Sequence, residues 1–219
     1  MNQKTLWYLN TNRLLKDLPE EDINELVPLL KESKVDKREC VYNMGDASDT
    51  LYILKEGRIK ISRFSEDGRE LTIDILDPGD VFGELSLAGE LERETSAEAL
   101  EDSFICSIKR DHFESFLSKR PGLSLNITRM IGGRMRKIEN RLENLIFQDV
   151  QKRLLFALSD LGEKYGTPVD EGTMISVRLS HQEIANLIGA ARETVTAELN
   201  SLKKSGRIIA SGRDIILPS

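Results

Sequence analysis

The chain has 219 residues, of which 39% are hydrophobic, and it carries a formal net charge of −6 at pH 7. This length allows one large domain or two modest ones, and the hydrophobic fraction is sufficient for a packed core. From Asp149 onward there are 9 basic and 9 acidic side chains, so the first 148 residues hold the whole negative charge. The acidic part is thereby excluded as a nucleic-acid surface, whereas the neutral part can serve as one if its cations cluster.

Cysteine and histidine are too sparse for an ordinary metal centre. Cys40 and Cys106 are the two cysteines of the sequence, which excludes a four-cysteine iron–sulfur or zinc site made by this chain alone. His112 and His181 lie far apart, and neither has a cysteine or histidine nearby, so we expect no metal site. The sequence shows no signal peptide and no apolar run of 18 residues. We therefore expect a cytoplasmic protein with reduced cysteines and no membrane partner.

The first 35 residues or so are predicted to be helical. Pro19-Glu20-Glu21-Asp22 is typical of a helix start, with proline and acidic residues in the first turn. Apolar residues then follow at helical spacing, and Pro28 predicts a kink or break. We interpret this segment as packing and not as a site.

From Lys37 to Lys109 the hydrophobic period changes to two, which predicts strands. Turn glycines fall between the predicted strands at regular intervals, at Gly45, Gly57, Gly68 and Gly79. Short strands of even length separated in this way indicate an antiparallel roll or barrel.

The sequence Phe82-Gly83-Glu84-Leu85-Ser86 interrupts these strands. A glycine beside an acid can cap a short helix and bring backbone amides towards a ligand. Arg93 and Glu94 follow about ten residues later, just before a predicted returning strand. Two interpretations stay open: these charges bind an effector, or Arg93 forms an internal ion pair with Glu84 or Glu94 that stabilises the roll.

A long helix is predicted from about Leu123 to Phe147, after a short helix that ends at Pro121-Gly122. Its heptad pattern favours a parallel two-stranded seam. The candidate dimerisation residues are Ile131, Met135, Ile138, Leu142 and Leu145. The alternative is a helix that packs only on its own domain.

Residues Ser180 to Lys203 predict two short helices joined by a tight turn. Ser180 and Glu183 have the spacing of a capping box, and Gly189 permits the left-handed backbone that ends a helix. Val195, Leu199 and Leu202 form the apolar face of the second helix, while its opposite face is polar. Two short strands around a Ser-Gly-Arg-Asp turn follow, which favours a winged helix over an ordinary helical hairpin. Clustered cations would assist DNA binding, namely Arg192, Lys203, Lys204, Arg207 and Arg213.

Three stretches resemble the CRP/FNR superfamily of bacterial transcription regulators: GDASDTLYILKEGRIKI, GRELTIDILDPGDVFGELSL and LSHQEIANLIGAARETV with its wing. The resemblance covers nearly the whole chain. It implies an α+β protein with a cyclic-nucleotide-binding-like roll of the cupin jelly-roll type in residues 1–122, including N-terminal helices. A dimerisation helix and hinge in residues 123–148 and a winged helix-turn-helix domain in residues 149–219 complete the expected architecture.

The resemblance also implies a homodimer whose rolls sense a small molecule and whose winged helices bind a palindromic operator near a promoter. RNA polymerase is then an expected partner. Arg192 and Glu193 match the family's base-reading residues, while Ala197 replaces a second base-reading arginine. Ala191 stands where the family often has serine, so we expect a weaker helix cap there. The expected DNA-binding residues are Ser180, His181, Arg192, Glu193, Thr196, Asn200 and Arg213.

The resemblance is weakest at the positions that bind the effector in the family. In the family's cyclic AMP binders the positions of Gly83 and Glu84 hold the ribose, and an arginine followed by serine or threonine holds the phosphate. Here Glu94 follows Arg93, and a carboxylate at about 4 Å from a phosphate costs on the order of 1 to 4 kcal/mol. Ile138 and Glu139 replace the hydroxyl pair that contacts adenine.

We therefore expect an effector other than cyclic AMP, bound by Gly83, Glu84, Leu85, Arg93, Glu94 and Ile138. The cysteine pattern of oxygen-sensing relatives is absent, so no iron–sulfur cluster is expected, and matching haem ligands are absent too. The alternative function is a cyclic-nucleotide-binding module that acts through protein partners. An enzyme is not expected, because no nucleophile–base pair, P-loop or metal pair is present.

Overall fold

The computed structural model describes residues 15, 16, 18–211 and 214–218. The chain divides into two compact units. The first contains Met1–Gly68 and Ile73–Arg136, and the second contains Arg69–Thr72 and Lys137–Ser219. The helices predicted before residue 15 lie outside the described residues.

The described N-terminal part contains one short helix and then a strand. Helix α1 spans Glu20–Leu26, a 3-10 turn follows at Val27–Leu29, and strand β1 spans Lys31–Val35. The break predicted at Pro28 is confirmed, since proline has no amide hydrogen with which to continue the helix. The prediction of helix as far as Val35 was wrong, because β1 pairs along its whole length with the strand Ser103–Lys109.

The middle of the first unit is an antiparallel β-roll, as predicted. Its two four-stranded sheets have the strand orders β1-β8-β3-β6 and β2-β7-β4-β5. The remaining strands of the roll are β2 (Cys40–Tyr42), β3 (Thr50–Glu56), β4 (Ile59–Phe64), β5 (Glu70–Leu76), β6 (Val81–Phe82), β7 (Ser96–Ala99) and β8 (Ser103–Lys109).

Two apolar clusters hold this unit together. One fills the roll and includes Leu54, Ile59, Phe82 and Ile105. The other packs α1, helix α2 (Arg110–Ser118) and the start of helix α3 (Pro121–Phe147) against the roll. Cys106 belongs to this second cluster, and burial raises the pKa of its thiol to about 11. A thiol with so high a pKa is chemically inert at neutral pH.

The second unit is a helical core closed by a small sheet. Helix α4 spans Val150–Tyr165, α5 spans His181–Ile188 and α6 spans Arg192–Lys204. Its sheet has the order β11-β12-β10-β9 and contains β9 (Gly166–Val169), β10 (Gly172–Ile175), β11 (Ile209–Ser211) and β12 (Asp214–Pro218).

The predicted hairpin after α6 is confirmed, but the sheet has twice the expected number of strands. The β9–β10 hairpin was missed because Pro168 lies inside β9, and proline argues against a central strand. β9 lies at the edge of the sheet, where the missing amide hydrogen is tolerated.

Substitutions at two hairpin glycines allow the stability cost of a steric clash to be measured apart from the cost of backbone strain. Gly57 and Gly68 both have positive φ angles, +87° and +79°. A Cβ atom at Gly57 would lie 2.2 Å from Ser103 Oγ, whereas one at Gly68 would meet no atom within 4 Å. We predict that Gly57→Ala is less stable than Gly68→Ala by about 1 to 3 kcal/mol, the usual cost of overpacking.

Urea unfolding followed by far-ultraviolet circular dichroism measures this difference. Gly68→Ala is the matched control, because it carries the φ penalty without the clash. Equal losses of stability in the two variants would show that the β3–β4 turn moves away from Ser103 at little cost.

Candidate effector site and nucleic-acid interface

The turn after β6 begins at a residue that must be glycine. Gly83 has φ +73° and precedes a 3-10 turn at Glu84–Ala88. A Cβ atom there would lie 2.9 Å from the carbonyl oxygen of Thr50 and 3.1 Å from Nη1 of Arg93. Backbone conformation and close approach of a guanidinium therefore both exclude a side chain at this position.

Arg93 is buried beneath this turn, with 2% of its surface exposed. Its Nη1 donates to the carbonyl oxygen of Gly83 at 3.2 Å, and its Nη2 donates to the carbonyl oxygen of Thr50. The guanidinium lies 4.5 Å from the ring centroid of Tyr42, in cation–π geometry. Its Nε is also buried and finds no hydrogen-bond partner among the described residues.

The charge partner of Arg93 is Glu90, which the sequence analysis did not single out. Glu90 Oε2 lies 3.5 Å from Arg93 Nη1 and accepts a hydrogen bond from Ser48 Oγ at 2.6 Å. Its other oxygen accepts from the backbone amide of Glu94 at 3.2 Å. The predicted internal ion pair of Arg93 thus exists, but with neither Glu84 nor Glu94. The three-residue spacing of Glu90 and Arg93 in the sequence could have predicted this ion pair.

Glu84 instead pairs with the long helix. Arg134 Nη1 donates to Glu84 Oε1 at 2.5 Å, and Arg134 Nη2 donates to the carbonyl oxygen of Val81. The Glu84 and Arg134 side chains are 10% and 21% exposed. Burial alone lowers the pKa of Arg134, but the Glu84 carboxylate outweighs it and the pKa lies above its usual value. The guanidinium therefore stays charged. This role of Arg134 was not predicted from the sequence.

The side chains of the other expected effector residues lie outside this buried network, although the backbone amide of Glu94 donates to Glu90. Glu94 pairs with Arg63 at 3.1 Å, and both side chains are more than half exposed. Its carboxylate does not pair with Arg93, and the repulsion of a phosphate by Glu94 stays a prediction. Leu85 and Ile138 are exposed, and Ile138 belongs to the part of α3 in the second unit.

The expected dimerisation residues of α3 differ in their solvent exposure. Ile131 packs partly against the apolar cluster of the roll. Met135, Ile138, Leu142 and Leu145 are exposed large hydrophobic side chains. Ile146 and Phe147, at the end of the same helix, are also exposed and were not singled out. Met135, Ile138, Leu142 and Leu145 thus form an exposed apolar row along α3.

The two helices α5 and α6 have the end structures expected from the sequence. Ser180 Oγ accepts from the amide of Glu183 at 3.2 Å, and the Glu183 carboxylate accepts from the amide of Ser180 at 2.6 Å. Gly189 ends α5 with φ +62°. Ala191 begins α6 without a side-chain hydrogen bond. These ends fix the turn between the helices.

Helix α6 turns a polar face outward. Val195, Leu199 and Leu202 are buried, whereas Arg192, Glu193 and Asn200 are exposed.

Two other expected DNA-binding residues, His181 and Thr196, are joined by a hydrogen bond of 2.8 Å between His181 Nδ1 and Thr196 Oγ1. Arg213 lies outside the described residues. Lys203, Lys204 and Arg207 are exposed in the same unit. None of the described helices is long and apolar enough to cross a membrane.

Comparison with known proteins covers both units. The cyclic nucleotide-binding domain family matches residues 32–120, and the Crp-like helix-turn-helix domain family matches residues 152–219. The chain is 35% identical over 177 residues to the CRP-like cAMP-activated global transcriptional regulator of Mycobacterium tuberculosis, covering 81% of this chain and 79% of that protein.

Two further similarities extend this result. The chain is 32% identical over 194 residues to the global nitrogen regulator of Synechocystis, covering 88% of this chain and 86% of that protein. The structure of the c-di-GMP responsive global regulator CLP of Xanthomonas campestris has the same fold, with a TM-score of 0.84 at 24% identity. The match covers 92% of this chain and all of that one. These proteins are transcription regulators and not enzymes, and the chain belongs to the CRP/FNR family of DNA-binding transcription regulators.

Proposed function

We propose that the protein is a homodimeric regulator that binds a palindromic DNA operator under the control of a small effector held by the roll. The exposed polar face of α6, which lies opposite a buried apolar face and follows the capped helix α5, carries this proposal. A recognition helix of this kind enters the major groove, and two copies in a dimer read two half-sites. The protein acts in the cytoplasm, near promoters, with RNA polymerase as its partner.

The effector proposal rests on the two buried guanidinium groups at the Gly83 turn. Arg93 donates to the carbonyl oxygen of Gly83, and Arg134 donates to the carboxylate of the next residue, Glu84. One glutamate partners each arginine, so the described network has no excess charge. A small amphipathic molecule with a hydrogen-bond acceptor would leave both pairs intact and would accept from the buried Nε of Arg93, which has no hydrogen-bond partner among the described residues.

Cyclic AMP is the competing effector, since the relative from Mycobacterium tuberculosis is named as cAMP-activated. The balance of charge at the Gly83 turn argues against it here, because Glu84 Oε1 already accepts from Arg134 Nη1 and each of the two arginines is balanced by one glutamate. A cyclic phosphate at this turn would add a negative charge beside two largely buried carboxylates, which is costly.

The first prediction concerns base recognition. Arg192→Ala should weaken binding to the operator by about 1 to 3 kcal/mol and relax the preference at one base pair in each half-site, because arginine donates two hydrogen bonds to guanine. Operators selected from random-sequence DNA, followed by fluorescence anisotropy on matched and mismatched sites, measure both effects.

Lys204→Ala is the control for the Arg192 experiment, because Lys204 is exposed at the other end of α6. Lys204→Ala should weaken binding to the operator and to random DNA by the same factor. If Arg192→Ala also weakens both equally, Arg192 contacts phosphate and does not read a base.

The second prediction concerns assembly. Ile138→Glu should convert the dimer to monomers, because each copy would place a charge within the apolar row of α3. Light scattering coupled to gel filtration measures the mass. Phe156→Glu adds the same charge at an exposed apolar residue of α4 and should leave a dimer. A dimeric Ile138→Glu protein would place the interface elsewhere.

The third prediction concerns the effector. Cyclic AMP should leave operator affinity unchanged, as measured by calorimetry and by operator binding in its presence. Micromolar binding together with a tenfold rise in operator affinity would contradict this expectation.

Cyclic AMP could be excluded by the Glu94 carboxylate or by the buried Arg134–Glu84 pair, and Glu94→Ser distinguishes the two explanations. It removes the carboxylate next to Arg93 and leaves the Arg134–Glu84 pair intact. If that buried pair excludes the nucleotide, Glu94→Ser still binds it weakly. A gain of cyclic AMP affinity in Glu94→Ser would assign the exclusion to Glu94.

A further inference from the structure

The buried side chains of α6 determine which residues lie on its outward face. Val195, Leu199 and Leu202 are buried and point into the core of the second unit. An α-helix has about 3.6 residues per turn, so Glu193 and Ala197 lie on the opposite side of α6. Ala197 is exposed there, near the middle of the helix. Its methyl group is therefore presented to any molecule that binds against this face.

The chain neighbours of Ala197 are polar, but both are engaged within the protein. Thr196 Oγ1 lies 2.8 Å from Nδ1 of His181 and donates to a backbone carbonyl of its own helix at 2.9 Å. Glu198 accepts from Nε2 of Gln151 on α4 at 2.8 Å. Both polar side chains are thus held by the protein itself, and the outward group between them is a single methyl.

The edges of DNA bases differ in how well they suit a methyl group. A methyl group placed against a carbonyl oxygen, a ring nitrogen or an amino group displaces water and offers no hydrogen bond in exchange, which is costly. Thymine is the base whose major-groove edge carries a methyl group, at C5. Contact between two methyl groups removes apolar surface from water on both sides. A methyl group at the centre of a recognition helix therefore favours thymine.

We propose that Ala197 contacts the C5-methyl group of a thymine in each half-site and makes thymine the preferred base at that position. This proposal rests on the proposed DNA-binding function. Ala197 follows Glu193 by four residues, which is a rise of about 6 Å along α6. Base pairs follow one another at about 3.4 Å along the duplex. The thymine therefore lies within about two base pairs of the base that Glu193 reads.

Replacement of thymine by deoxyuridine removes the C5-methyl group and leaves the hydrogen bonds of the base pair unchanged. Operators are first selected from random-sequence DNA, and each thymine of one half-site is then replaced in turn. At one position the wild-type protein should bind the deoxyuridine operator about fourfold more weakly, as expected for one buried methyl group. Ala197→Gly should bind the thymine and deoxyuridine operators equally. Fluorescence anisotropy measures both affinities.

Two further variants control for effects of substitution on the helix. Glycine destabilises a helix, but this cost is the same for both operators and cancels in their ratio. Ser201→Gly has the same helix cost at an exposed position one turn further along α6, and it should keep the fourfold difference. Thr196→Ser removes the methyl group next to Ala197 in the chain and should keep the difference too.

Methylated cytosine tests the methyl group apart from the identity of the base. Cytosine in place of the thymine should weaken binding by the wild-type protein. The operator with 5-methylcytosine at that position should bind about fourfold more tightly than the one with cytosine, because it restores the methyl contact. Ala197→Gly should bind the two cytosine operators equally.

A selected half-site in which no thymine is sensitive to deoxyuridine would overturn the proposal while leaving DNA binding intact. A thymine–deoxyuridine difference that survives in Ala197→Gly would do the same, and its loss in Thr196→Ser would assign the methyl contact to Thr196 instead. Failure to select any operator would remove the proposed function and this proposal with it.

Discussion

The ion pair between Arg134 and Glu84 is the contact on which the geometry of the roll turn depends. Two ionised groups are held there with little access to water, and each satisfies the other. Removing one partner of a buried pair leaves an uncompensated charge, which typically costs about 3 to 5 kcal/mol. The Gly83 turn and the part of α3 within the roll unit are therefore energetically linked. A ligand that approaches Glu84 must compete with a guanidinium that the protein itself supplies.

Arg93 is also a buried charge that the protein neutralises, but with a different set of partners. Two backbone carbonyls, one carboxylate and the face of Tyr42 surround its guanidinium. Its Nε alone stays without a hydrogen bond among the described residues. An unsatisfied buried donor is destabilising by about 1 to 3 kcal/mol, and such groups are often explained by a ligand or a missing solvent partner. A hydrogen-bond acceptor on the effector would meet this requirement.

Sequence patterns predicted those structural elements that are determined by residues close together in the chain. Ser180, Glu183 and Gly189 specify helix ends through their own backbone and side chains, and the structure reproduces each end. Strand β1 could not be predicted in this way, because Lys31-Glu32-Ser33-Lys34 has no apolar alternation and its conformation comes from pairing with β8. Arg134 as the partner of Glu84 was missed for a related reason. Arg134 lies 50 residues from Glu84, and sequence spacing gives no signal for a contact at that separation.

Strand β1 has a further consequence for how copies of the chain meet. It is the outer strand of its sheet, and four of its five residues are exposed, three of them charged. An exposed strand edge can accept a strand from another molecule, which leads to open-ended assembly. Lysine and glutamate side chains along the edge oppose this addition, because two such edges would have to bring their charges together out of water. Association of copies through this edge of the sheet is thus disfavoured.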